Sequence, residues 1–212
     1  MAELYGESPL TSRTHALDRD SAPQAVRLTE IAFTPQIGLR VDPKSSAAER
    51  ISTAIGAMLP HQPDSAVHTG DLLVLALGPD EWLLVGREGT AGALQATLTA
   101  ALGEDHGAVV DVSAQRTIIG VSGPMSRDLL NQGCALDLHP RAFGEGRCAQ
   151  TLLARTGVVV VCRDAELPSF WLLVRSSFAR YTADWLADAA TEYRTTVPAA
   201  PGAAANDYAV CS

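Results

Sequence analysis

Lysine is almost absent from this sequence: Lys44 is the single one in 212 residues, so nearly all positive charge sits on arginine. No Lys/Arg cluster forms, and 16 basic against 24 acidic side chains leave a net charge of −8. A phosphate-tracking nucleic-acid surface is therefore not expected. Cysteine is scarce too, with Cys134, Cys148, Cys162 and Cys211 far apart and no C-x-x-C pair. That usage fits reduced thiols in a cytoplasmic protein, not a disulfide framework. No apolar run reaches the roughly 18 residues of a spanning helix. The opening MAELYGESPLTSRTHALDRD carries Glu3, Glu7 and Asp18 and reads as neither signal peptide nor anchor, so no membrane partner is expected. No G-x-G-x-x-G opens a helix after a strand, which argues against a dinucleotide-binding domain.

A chain of this length buries a core without staples, as one large domain or two small ones. Residues 1–25 are polar and aperiodic and read as an arm, expected to dock on a partner because Leu4, Tyr5, Leu10 and Leu17 have no core of their own there. Residues 195–212 are rich in Ala, Pro and Gly and are expected to fray as a flexible tail. The body is residues 26–194, with room for two subdomains.

Within it, Ser46-Ala-Ala-Glu49 reads as a capping box, followed by Ile51, Ile55, Met58 and Leu59 at helical spacing until Pro60 stops the run. LLVLAL (72–77) and EWLLVG (81–86) flank the turn residues Gly78-Pro79-Asp80 and predict a hairpin. Leu94, Leu98, Ala101 and Leu102 mark a second helix, ended by Gly103. AVVDVS and RTIIGVSG predict a strand pair about Ala114-Gln115, and Gly123-Pro124 a helix over MSRDLLNQ with proline at its first position. CAQTLLAR, GVVVVCRD and FWLLVRS are strands, and a last helix begins near Ser176 with Phe178, Tyr181, Trp185, Leu186 and Ala189 on one side. Hairpins interrupted by single helices predict an α+β fold, with antiparallel sheets, not a doubly wound one.

The stretch GCALDLHPRAF, from Gly133 to Phe143, gathers the densest chemistry, with Cys148 following. Cys134, Asp137, His139 and Cys148 are zinc-ligand types, yet the paired short spacing of structural zinc is missing. Cys134 with His139 could instead be a thiol and its base, since such partners meet in space. The favoured reading is a turn: Gly133 ends a helix, Cys134, Leu136 and Leu138 alternate inward, and Asp137 and His139 make local hydrogen bonds before Pro140. Gly144-Glu145-Gly146 reads as a turn before an anion nest. His61 and His68 flank a polar loop and read as solvated. Asp80, Glu81 and Asp111 form no spaced catalytic pair, and Trp82, Trp171 and Trp185 read as core or interface anchors. The residues thus name no catalytic, cofactor-binding or metal site.

LGPDEWLLVG (77–86), DVSAQRTIIGVSGPMSRDLLNQGCALDLHPRAF (111–143) and FWLLVRSSFARYTADWL (170–186) resemble the gamma subunits of heterotetrameric sarcosine oxidase, as do Ser8-Pro9-Leu10 and LRVDP at 39–43. More distantly, IIGVSGPMSRDLL is similar to a strand–GP–helix element of the folate-using aminomethyltransferases of the glycine cleavage system. The resemblance implies antiparallel sheets built from β-hairpins with interspersed helices, like the N-terminal folate-binding domain of that T-protein. It also implies a heterotetramer with alpha, beta and delta subunits that oxidatively demethylates sarcosine to glycine, passes the one-carbon unit to tetrahydrofolate and releases hydrogen peroxide. FAD, FMN, NAD, tetrahydrofolate and zinc are then expected on the partner subunits and none on this chain, a non-catalytic structural or assembly subunit inactive by itself. The alternatives are a stand-alone folate-dependent aminomethyltransferase or hydrolase using Cys134, His139 or Asp111, and a small-molecule-binding regulatory module.

Overall fold

The computed structural model describes residues 6–13, 17 and 24–194. The tail from residue 195, with Cys211, lies outside the described residues, as do Leu4 and Tyr5 of the arm. In chain order the elements are β1 (Arg27–Ile31), β2 (Gln36–Val41), α1 (Ser46–Ile55), β3 (Ala66–Thr69), β4 (Leu72–Gly78), β5 (Glu81–Val85), α2 (Ala91–Leu102) and β6 (Gly107–Asp111). They continue with β7 (Arg116–Ser122), α3 (Ser126–Asn131), β8 (Cys148–Leu153), β9 (Thr156–Asp164), β10 (Ser169–Arg175) and α4 (Ala179–Arg194). The strands form two antiparallel five-stranded sheets, ordered β1-β7-β10-β9-β8 and β3-β4-β5-β2-β6. This is the expected α+β architecture.

The continuous apolar runs follow from burial on both faces of each sheet. Leu73 and Leu75 of β4, Leu83 and Val85 of β5, Val159 and Val161 of β9 and Leu173 of β10 meet in a core between the sheets. Their neighbours Val74, Trp82 and Leu84 turn the other way and pack with Ile51 of α1 and Leu98 of α2. On the far side, Ile119, Val121, Val160, Phe170 and Leu172 pack with Leu129 of α3 and Leu186 of α4. The result is four layers, helices outside and two sheets within. Among the described residues no helix is long and apolar enough to cross a membrane.

Several expectations shift. The cap of α1 is Ser45, one residue before the expected serine, and its side chain accepts from the Ala48 N–H at 3.3 Å. The helix stops at Gly56, whose φ of 67° is the left-handed conformation of a C-terminal glycine, so Met58 lies beyond it, 71 % exposed. Helix α3 starts at Ser126, two residues past Pro124. β6 and β7 are strands as expected but do not pair with each other: β6 lies on β2, β7 between β1 and β10. A 3-10 turn over Ser113–Gln115 carries the chain from one sheet to the other, and Asp111 holds it by accepting from the N–H (2.9 Å) and hydroxyl (2.5 Å) of Ser113.

The buried face of α4 is Ala179, Thr182, Ala183, Leu186, Ala190 and Tyr193, whereas Phe178 and Tyr181 are exposed. Small side chains let this helix lie close to the sheet, which a search for aromatic periodicity passes over. Leu10 and Leu17, read as arm residues without a core, are fully or nearly fully buried in the core beneath α3 and α4. Ser8 bonds to Glu30 of β1, and Arg13 pairs with Asp184 of α4 at 2.9 Å, which ties the described part of this segment to the body.

Candidate functional site

The cysteine-histidine stretch is a connection whose polar groups satisfy one another. At the end of α3 the Cys134 N–H donates to the Leu130 carbonyl at 2.9 Å, and the side chain is buried beside Leu153 in the outer core. Asp137 Oδ1 accepts from the His139 N–H at 2.9 Å, and His139 Nδ1 accepts from the Arg141 N–H at 3.2 Å. The His139 carbonyl takes the Ala142 and Phe143 amides, both at 2.8 Å. Cys148 lies in the other core, between the sheets, and its thiol donates to the Ser65 carbonyl at 3.3 Å. Burial, helped by the nearby Asp64 charge, pushes that thiol up to about 12, so it stays protonated and unreactive at neutral pH. The two thiols therefore belong to different cores, and the His139 ring engages a backbone amide.

The remaining candidates are also placed apart. Gly144-Glu145-Gly146 is a turn: Gly146 has φ 76°, the Arg147 N–H reaches the Gly144 carbonyl, and the Gly146 carbonyl takes the Ala66 amide at 2.8 Å. Arg40 engages both Asp80 (3.4 Å) and Glu81 (2.6 Å). Asp111, held below the usual carboxylate range by the Ser113 hydroxyl and amide, serves the turn between sheets. His61 and His68 are exposed and line separate hollows. Trp82 is buried, Trp171 lies under the Arg163 guanidinium at 4.2 Å, and Trp185 packs against Gly133. Among the described residues no group of three or more His, Cys, Asp and Glu side chains is gathered to hold a metal ion.

A recess that composition did not reveal lies at one end of the inner face of the first sheet. Arg116, Arg155 and Arg175 line a recess of about 620 Å³ together with Gln150, Leu152 and Phe178, over a floor that includes Val159 and Leu173. Arg116 and Arg175 stand directly opposite each other on β7 and β10. Burial, then the charge of Arg175, draws the Arg116 guanidinium below its ordinary value, while Glu81 opposes the shift. Leu152 opposes Gly157 across β8 and β9, and a Cβ on Gly157 would meet nothing, so the row is notched there. The second sheet ends short of this row, with Gln150 Nε2 donating to the Leu77 carbonyl at 2.9 Å at its margin. The three arginines are spread over residues 116–175, and only the strand register brings them together; Arg116 begins β7, Arg155 lies in the β8–β9 turn and Arg175 ends β10, isolated positions that give no local pattern.

Comparison with known proteins gives a consistent result. The model of the family described as "Sarcosine oxidase, gamma subunit family" matches residues 38–192. The sarcosine oxidase gamma subunit of Arthrobacter sp. is 40% identical over 187 residues, 88% of this chain and 90% of the relative. That of Corynebacterium sp. (strain P-1) is 40% identical over 189 residues, with the same two coverages. Among solved structures, a chain of the heterotetrameric sarcosine oxidase from Corynebacterium sp. U-96, in complex with pyrrole 2-carboxylate, superposes with a TM-score of 0.84 at 36% identity, covering 92% of this chain and 99% of that one. The glycine cleavage aminomethyltransferase T of Bartonella henselae shares the fold, with a TM-score of 0.64 at 14% identity over 84% of this chain and 56% of its own.

Proposed function

The chain belongs to the sarcosine oxidase gamma subunit family, and from that premise we propose that it is the structural gamma subunit of a heterotetrameric sarcosine oxidase. The observation that carries this reading is the near-complete superposition on a chain of such an oxidase, 99% of which is covered. In this reading the assembly oxidatively demethylates sarcosine to glycine, transfers the one-carbon unit to tetrahydrofolate and releases hydrogen peroxide. The partners are alpha, beta and delta subunits in the cytoplasm, and they hold FAD, FMN, NAD, tetrahydrofolate and zinc.

This chain's own share is assembly. Among the candidate groups, Asp80 and Glu81 are engaged by Arg40 and Asp111 by Ser113, the described thiols are buried, His61 and His68 are exposed, and the His139 ring accepts from a backbone amide. None of these groups is paired as acid and base about a space for substrate, so no chemical step is derived on them. The stand-alone aminomethyltransferase reading is not favoured, since the likeness to that enzyme spans 56% of its chain and bears on fold alone. The test is co-expression with the other oxidase subunits. The chain should elute with them at fixed stoichiometry and raise the yield of active oxidase, while the purified chain alone should show no flavin absorbance and no sarcosine-dependent peroxide. A chain that ignores those subunits, or transfers a methylene group to folate unaided, would overturn the reading.

A further inference from the structure

Among the described residues, none of the guanidinium groups of Arg116, Arg155 and Arg175 has a carboxylate within ion-pair distance, although the chain carries an excess of acid. Glu81, the acid that acts on Arg116, is already held at 2.6 Å by Arg40. Two like charges directly opposite on neighbouring strands oppose pairing, yet Arg116 and Arg175 occupy such positions. A stability cost of this kind is expected where a ligand offsets it. The rim adds a second observation: Leu152 is 62 % exposed and Phe178 45 % exposed, both lining the same recess. Arginine and aromatic side chains around an apolar floor are the composition of protein interfaces, where they serve as anchors. A small anion would be served by the guanidinium groups and would leave Leu152 and Phe178 in water. A peptide uses both.

We propose that the recess formed by Arg116, Arg155, Arg175, Leu152 and Phe178 docks an acidic segment of a partner subunit, one carrying at least two Asp or Glu side chains beside an apolar side chain. The carboxylates would take the guanidinium forks in paired hydrogen bonds, and the apolar side chain would enter the notch left by Gly157 between Leu152 and the arginines. This rests on the reading of the chain as an assembling subunit. The recess contributes register and charge complementarity to that assembly.

The full chain is co-expressed with the other oxidase subunits as wild type, as Arg155→Glu, as the triple Arg→Glu variant and as the triple Arg→Lys variant, and co-elution is followed at low and high salt. Arg155 is exposed and lies in the turn between β8 and β9, so its reversal should leave the circular dichroism spectrum and melting temperature unchanged while weakening association about tenfold or more. The triple Glu variant should lose co-elution, and the triple Lys variant should keep it in part, because charge survives without the planar fork. Wild-type association should weaken as salt rises, and that of Arg155→Glu less steeply. If wild type assembles and both Glu variants assemble equally well, the docking inference fails alone. If wild type does not assemble, the functional reading falls and takes this inference with it. Succinate protecting the isolated chain through the same arginines, with assembly indifferent to their reversal, would make the recess a small-anion site and overturn the proposal.

Discussion

Gly133 lies directly against the indole of Trp185: a Cβ at that position would stand 2.5 Å from Cζ2 and 2.8 Å from Cη2. The close approach brings the end of α3 onto α4. It also explains why glycine heads the Gly133–Phe143 connection without any need for a left-handed backbone.

Gly133→Ala should therefore destabilise the fold by about 1–3 kcal/mol through overpacking. Placed on a Trp185→Leu background, the same change should cost much less. A double-mutant cycle on urea midpoints reads the coupling, and strict additivity would mean the indole is not the obstacle.

Trp82 is buried and donates its indole N–H to the Pro60 carbonyl at 2.8 Å, fixing the loop that follows α1. Trp82→Phe keeps most of the ring but leaves that carbonyl without its donor, an expected loss of about 1–3 kcal/mol. Trp82→Ala should cost about 3–5 kcal/mol by leaving a cavity. Chemical denaturation of the two variants checks the order, and equal losses would remove the hydrogen bond from the explanation.

The element types were readable because the core strands are buried on both faces and so appear as apolar runs such as VVVVC, bounded by turn residues. What the order of residues hid was partnership. β6 and β7 are adjacent in sequence, and nothing in AVVDVS or RTIIGVSG shows that Ser113–Gln115 sends them to different sheets. Trp82 and Trp185 were legible as anchors, but the alanines of α4 were not, since small side chains give little periodic signal while allowing close packing. The Asp137–His139 turn was legible because its hydrogen bonds are local. The arginine recess was not, because its members meet only through strand register.

Cys148 gives a pH signature. The folded thiol sits at about 12 against 9.0 for an ordinary one. For an acid whose folded value is raised, the stabilising contribution is fully present below the unfolded value and is lost as pH rises through the folded one. Stability should thus fall between about pH 9 and pH 12, with Cys162, also raised chiefly by burial, adding to the loss. Cys148→Ala should show a shallower decline over that window in urea titrations, and Cys148 in the folded wild type should resist iodoacetamide until the chain is denatured. Rapid alkylation of Cys148 in the folded chain would contradict this.

In assembled oxidase, Cys134→Ser and His139→Gln should leave kcat unchanged. His139 is exposed, and its variant should shift stability by about 0.5 kcal/mol or less. Cys134→Ser places a hydroxyl in a buried apolar setting and should cost about 1–3 kcal/mol. Abolished turnover in a complex that still assembles would assign the pair a chemical role.

The chain begins its first sheet with β1, leaves to build the entire second sheet, and returns only at β7, where Arg27 pairs with Ser122 and Ile31 with Ile118. During synthesis the β1 edge must therefore wait, unpaired, until the second sheet has been made and the 3-10 turn at Ser113–Gln115 has carried the chain back. Pairings so distant in sequence slow folding and leave strand edges open to wrong partners. The first sheet should close late, and a subunit stalled before β7 has emerged would present its β1 edge to the crowd around the ribosome.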